Sequence, residues 1–345
     1  MMKSVCNKLV LATVLAMTSA AWAQTVDKAV AAYGQKNFSS ALSMFAPLAA
    51  KGDSDAQYML GVMNYSGEGT PVNPGMAVQW YRKAAAQGHP AAQSNLGNML
   101  KNGVGVAKDE AQAVAWFRKS AEQGFATAQT NLSIQYFTGQ GVARDLTQAY
   151  AWARKAAEQN DPKAQFNLAN LYFDGQGTAQ DEKAGIAWLK KSANAGYAGA
   201  QHNLAIRYSE GRGVPLDLSQ AHAWYRKAAE LGNADAQNNL ALSYAKGEGV
   251  IKDEQEAVKW YRKAAEQGLD AAQNGLGYAY IAGAGVPKNA ETAYFWWLLA
   301  SAKGNKPALN NRDRVAPMLT AAQRAKVQAA AAAWRPSVAG GASAL

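Results

Sequence analysis

The sequence holds one cysteine, three histidines and ten prolines among 345 residues. Cys6 stands ahead of the apolar run in the first 23 residues, the wrong place for a lipid-attachment cysteine at the end of a leader. With no other thiol, neither a disulfide nor a cysteine-based metal site can form downstream, so stability has to come from packing. His89, His202 and His222 lack a second ligand at metal-binding spacing, and neither a metal nor any other cofactor is expected. Past residue 23 no stretch is apolar enough for a membrane-spanning helix. Convergent catalytic sets are missing too. Ser243-Tyr244-Ala245-Lys246 fits the S-x-x-K form of serine β-lactamase-type nucleophiles, but the companion S-D-N and K-T-G motifs are absent. No catalytic residue is assigned.

What is present begins with a leader. Lys3 and Lys8 form a positive start, Leu9 to Met17 is a short apolar run, and Ala21-Trp22-Ala23 has the form of a cleavage site. This is the pattern of a secretory signal peptide, with cleavage expected before Gln24 and a periplasmic or secreted product. The formal net charge of +10 is unevenly placed: residues 303–345 hold seven Lys/Arg against one Asp, whereas residues 24–302 are nearly balanced. The basic end offers a weak contact for anionic envelope components, with a solvated helix as the plainer alternative. Nucleic acid is not expected as a partner.

Three markers then recur every 36 residues. Seven glutamines run from Gln57 to Gln273 and seven tryptophans from Trp80 to Trp296. Seven G-x-G pairs lie between them, starting at Gly67/Gly69 and ending at Gly283/Gly285. The pairs follow helical segments, not strands, so they read as interhelical turns and not as phosphate loops. Asn73, Asp109, Asp145, Asp181, Asp217, Asp253 and Asn289 are N-cap types at the start of a second helix. Gly88, Gly124, Asn160, Gly196, Gly232, Gly268 and Gly304 suit its C-terminal end. The chain is therefore expected to be all-α, a right-handed superhelical solenoid of antiparallel helix pairs. Its expected parts are a signal peptide (1–23), a degenerate helix-pair cap (24–52), seven repeats (53–304), a helical cap (305–335) begun by Thr320 and Gln323, and a flexible tail (336–345). The tryptophans are expected to wedge between helices as core, an exposed ladder for glycan or partner being the alternative.

The pattern Ala-Gln-x-Asn-Leu, then Gly-x-Gly-Val, Asp, Ala, Trp, a basic pair and Ala-Glu-Gln-Gly resembles the SEL-1-like repeat family, a branch of the tetratricopeptide-repeat superfamily. The resemblance covers residues 53–304 and weakens at the ends: Met59 and Gly275 replace the asparagine, and Leu298-Leu299 replaces the basic pair. It implies a protein-binding scaffold or adaptor, possessing no enzyme activity, that holds a partner protein or extended peptide in a concave groove lined by the first helices and regulates an envelope complex. The alternatives are an envelope enzyme acting on glycan or β-lactam, and a direct binder of envelope glycan or anionic lipid.

On that resemblance the groove row is Asn95, Asn131, Asn167, Asn203 and Asn239, whose carboxamides can bond any extended backbone. The same row could instead join neighbouring repeats, leaving groove and glue equally open. Variable positions four residues on (Met99, Gln135, Leu171, Arg207, Ser243) and seven residues on (Asn102, Thr138, Asp174, Glu210, Lys246) would give specificity.

Overall fold

The computed structural model describes residues 24–337, and within them eighteen α-helices, one 3-10 turn and no strand. The leader at 1–23, with Cys6, and residues 338–345 of the tail lie outside the described residues. The chain divides into two bodies at Asp161 and Pro162. The first runs from α1 (24–34) and α2 (Phe38–Ala50) through three helix pairs: α3 (Ser54–Ser66) with α4 (Pro74–Ala86), α5 (Pro90–Asn102) with α6 (Glu110–Glu122), and α7 (Ala126–Thr138) with α8 (Leu146–Glu158). The second holds four pairs: α9 (Pro162–Asp174) and α10 (Glu182–Asn194), α11 (Ala198–Glu210) and α12 (Leu218–Glu230), α13 (Ala234–Lys246) and α14 (Glu254–Glu266), α15 (Asp270–Ala282) and α16 (Ala290–Ala302). It ends with α17 (Lys306–Val315) and α18 (Ala321–Ala333). Each body is an all-helical stack of successive pairs, the architecture the period and caps imply.

The local chemistry sets these lengths. In every second helix the cap carboxylate or carboxamide accepts from a first-turn amide, as Asp109 Oδ1 does from Gln112 N at 2.9 Å. First helices stop at the leading glycine of G-x-G, which adopts the left-handed conformation, for example Gly247 with φ 75°. The trailing glycine has a different task. A Cβ on Gly249 would lie 2.0 Å from the Leu218 carbonyl oxygen at the start of the preceding second helix, so only glycine permits this approach.

Within a pair, large and small side chains complement each other. Gly61 faces Tyr81, Gly97 faces Phe117 and Gly277 faces Trp297, each so closely that a Cβ would meet the ring at 2.5–2.6 Å. Where the residue after the repeat tryptophan is aromatic it is thus a core anchor: Tyr81 and Phe117 are 1% and 0% exposed. Truncating such a ring costs on the order of 3–5 kcal/mol.

The tryptophans themselves depart from expectation. Trp80, Trp116, Trp152, Trp188, Trp224 and Trp260 are half-buried. The ammonium of the lysine three residues on lies 3.9–4.4 Å from each ring centroid. One ring face packs and the other is covered by a cation, so these six are neither full core nor a bare ladder. Trp296 alone is buried: Leu299 replaces the lysine, and the ring meets Trp334 edge-on at 6.5 Å. The closing helix α18 begins with a capping box at Thr320 and Gln323 and is held by Gln323 Nε2 donating to Glu291 Oε1 at 2.8 Å.

Candidate interaction face on the first helices

The repeat glutamine is a fastener. Its carboxamide is buried, and Nε2 donates at 3.1 Å to a main-chain carbonyl at the end of the preceding second helix, as Gln93 does to Ala85 and Gln237 to Ala229. Its Oε1 accepts from a second glutamine 30 residues on: Gln87 to Gln57, Gln123 to Gln93, Gln159 to Gln129 and Gln267 to Gln237, each at 2.8 Å. Where Leu231 and Lys303 replace that second glutamine, Oε1 of Gln201 and of Gln273 is buried without a partner. The sequence marked this glutamine by its period but did not show its work.

With the fastener pointing back along the stack, helical geometry fixes what remains accessible. The accessible stripe of each first helix takes the position four before the row asparagine, the half-buried asparagine itself, the half-buried position three after it and the exposed position seven after it. In α13 these are Asp235, Asn239, Leu242 and Lys246. The positions seven on (Asn102, Thr138, Asp174, Glu210 and Lys246) are exposed, as a groove set requires. Glu210 pairs with Arg212 at 3.1 Å and Lys246 with Glu248 at 3.5 Å, both in solvent, where such pairs add little stability.

The positions four on do not face outward. Met99 and Gln135 are each 1% exposed, Leu171 4% and Ser243 7%, so all four are interior. Arg207 is mostly covered, its guanidinium 3.7 Å from the Phe173 ring centroid and paired to Glu182 at 3.0 Å. These five are withdrawn from the groove set. A step of four residues turns the side chain past the stripe into the pair interface, whereas a step of three keeps it in view. Asn98, Ile134, Asn170, Ile206 and Leu242 therefore take their place, and the 3.6-residue period was the signal that pointed to them.

The asparagine row is half-buried throughout. In the first body Asn95 approaches the hydroxyls of Tyr58 and Tyr81, offsetting the rise in their pKa that burial causes. Asn131 Nδ2 donates to Asn98 Oδ1 at 3.2 Å. In the second body Asn239 Nδ2 lies 3.0 Å from His202 Nε2 and approaches Tyr225, while Asn203 acts on His202. Asn95, Asn131 and Asn239 thus each engage the preceding helix pair while keeping one edge open.

On the same stripe, at the far end of the second body, a half-open cup of about 510 Å³ lies between α13 and α15. Leu242, Val258, Tyr261, Gly275 and Tyr278 line it, with Glu254 on its wall. The basic end is mostly committed to structure: Lys303 Nζ donates to Gly268 O, Arg324 to the carbonyls of Ala316 and Leu319, Arg335 to those of Ala332 and Trp334, and Arg312 pairs with Asp313. Lys306, Arg314 and Lys326 remain without such partners.

An array of fastened helix pairs with an accessible stripe along its first helices defines a helical-repeat scaffold. The family model for the Sel1 repeat matches seven consecutive segments, 54–89 through 270–305, and the chain belongs to that family. Among solved structures it is similar to a Sel1 repeat protein from Oxalobacter formigenes, at 35% identity over 70% of this chain and 99% of the other, with a TM-score of 0.66. A protective antigen of uropathogenic Escherichia coli displaying an SLR fold is 31% identical over 85% of this chain and 78% of the other, with a TM-score of 0.44. No curated protein matches. Among the described residues no helix is long and apolar enough to cross a membrane, and no three His, Cys, Asp or Glu side chains gather as a metal site.

Proposed function

We propose that this protein is an exported scaffold that holds a partner protein or extended peptide along the accessible stripe of its first helices. The observation that carries the reading is the stripe itself. It repeats every 36 residues with a near-constant asparagine and variable neighbours, on helices whose opposite faces are closed by packing. Membership of a repeat family that serves generally as a non-enzymatic scaffold supports it. A fixed carboxamide can bond any backbone, while Glu210, Asp235 and Lys246 distinguish one partner from another by charge. Export rests on the leader pattern at 1–23, and regulation of an envelope complex is the role this reading assigns to the scaffold through the partner it holds.

The test is capture from the periplasmic and secreted fractions with purified protein as bait, comparing the native chain with the double variant Glu210→Lys, Lys246→Glu. Both side chains are exposed and their ion pairs are solvated, so folding should be unchanged. A protein retained by the native chain and lost by the variant supports the reading. Identical retention by a variant that melts normally overturns it. N-terminal sequencing of the exported protein should begin at Gln24; an intact Met1 in the membrane fraction refutes export.

A further inference from the structure

The cup between α13 and α15 lies where one repeat breaks the frame. Fourteen residues after Tyr81 comes Asn95, and fourteen after Tyr225 comes Asn239. In both cases the carboxamide approaches the phenol and lowers its pKa against burial. Fourteen residues after Tyr261 comes Gly275. The ring of Tyr261 packs over that glycine, where a Cβ would sit 2.7 Å from Cε1, and no carboxamide follows. Tyr261 is 7% exposed, its hydroxyl has no protein hydrogen bond, and burial alone pushes its pKa up to about 12. A phenol in this position elsewhere has an amide beside it; this one lines an open cup of about 510 Å³ instead. That volume falls within the usual range for ligand sites.

We propose that the cup binds an extended peptide segment, neutral or cationic, that sets a backbone amide against the Tyr261 hydroxyl and an apolar side chain against Leu242 and Val258. The inference deepens the reading of this face as protein-binding and rests on it. The group missing at position 275 is a carboxamide; Asn238, Asn274 and Asn305 stand elsewhere in the lining, and a peptide carries an amide once per residue that can meet both these side chains and the phenol. An amide carbonyl can accept from the phenol, whose hydroxyl opens onto the cup. Apart from the tyrosines the only ionisable side chain in the lining is Glu254, whose carboxylate pairs with Lys252 at 2.7 Å, and no lysine or arginine is among the lining. An anionic ligand would therefore find no cation in the lining to compensate its charge, whereas a neutral amide needs none.

The probe pair is N-acetyl-leucinamide and the carboxylate N-acetyl-leucinate, titrated against the full chain by ligand-observed nuclear magnetic resonance. The neutral probe should bind with a dissociation constant on the order of millimolar, given its size, and the anionic probe at least several-fold more weakly. Tyr261→Phe keeps the ring and removes the hydroxyl, so affinity should fall about two- to tenfold. Ala271 lines the cup and is exposed, so Ala271→Met should fill the mouth without touching the core and abolish binding, with the melting curve unchanged. Glu210→Lys, on α11, should bind the probe normally. Absence of binding to the native chain, equal affinity for the two probes, or native affinity in Ala271→Met each overturns the proposal. Loss of the cup with a partner still dependent on Glu210 and Lys246 would fail this inference alone. Probe binding with a captured protein indifferent to those charges would fail the face reading and leave the cup standing.

Discussion

Gln135 is the least comfortable residue in the first body. It is 1% exposed, and both Oε1 and Nε2 are buried without a hydrogen-bond partner. The equivalent residues of neighbouring repeats are Met63, Met99 and Leu171, all interior. Replacing Gln135 by Met keeps the length and flexibility of the side chain and removes two stranded polar atoms. A buried polar group without a partner costs about 1–3 kcal/mol in proteins, so Gln135→Met should stabilise by that amount. For a body of this size a change of 1 kcal/mol moves the melting temperature by roughly 2–4 °C, which predicts a rise of about 2–12 °C in the transition of the first body. Gln135→Glu is the opposing control, since it buries a carboxyl in the same place. Differential scanning calorimetry of the full chain separates the outcomes. A transition that stays put or moves down in Gln135→Met would show that the amide is bonded in solution, through an ordered water, and the reasoning would fail.

The fastener makes a related prediction: Leu231→Gln supplies the donor that Gln201 Oε1 lacks and removes a side chain that is 59% exposed, so urea unfolding should show a gain of about 0.5–1.5 kcal/mol. Gly249→Ala and Gly232→Ala both strain a positive φ, but only the first collides with backbone. Chemical unfolding should therefore find Gly232→Ala down by about 1 kcal/mol and Gly249→Ala down by much more. Phe117→Ala should cost about 3–5 kcal/mol, well above Trp116→Ala, whose ring is only half-buried; equal losses would contradict the packing described. Burial depresses the pKa of His89, His202 and His222, with Asp55 and Asp235 opposing at the first two and Arg226 adding to the effect at His222. A depressed folded pKa means the neutral form is the one the fold accommodates. That stability is complete above the unfolded value of about 6.5 and is lost as pH falls through the lower folded values. Melting temperature should decline on acidification below about pH 6.5, less steeply in His222→Phe, and a flat profile would refute it.

Much of the fold was legible because each repeat states its own boundaries. Asp109, Gly103 and Gly124 name the start of one helix, the end of another and the turn after it, and a period of 36 residues repeats the statement seven times. The candidate face was less legible. The asparagine row and the positions seven on could be read from spacing, but the inward turn of Met99 and Leu171 had to be recognised from the helical period together with their apolar character. Arg207 and Gln135 are polar and gave no such warning. The half-burial of the tryptophans was hidden for a different reason. The lysine three residues on, replaced by Leu299 after Trp296, was the local signal, but its stacking on the exposed ring face shows only in the structure. Gly275 looked like an ordinary irregularity of a terminal repeat until the neighbouring Tyr261 was seen to lack an amide.

The glutamine fastener reaches back to main-chain carbonyls, Ala49, Ala85 and Ala121 in the first body, and Ala193, Ala229 and Ala265 in the second. A carbonyl is the same whatever side chain it belongs to. The glutamine's part of the joint therefore does not inspect the identity of its neighbour, only that a helix ends there; the asparagine row is the part that does. Whole segments of 36 residues can be duplicated, deleted or shuffled by recombination within a body with compensating changes needed only at the asparagine contacts, not at the fastener. Reach along the partner can lengthen or shorten in a single genetic event, while the residues that choose the partner drift independently.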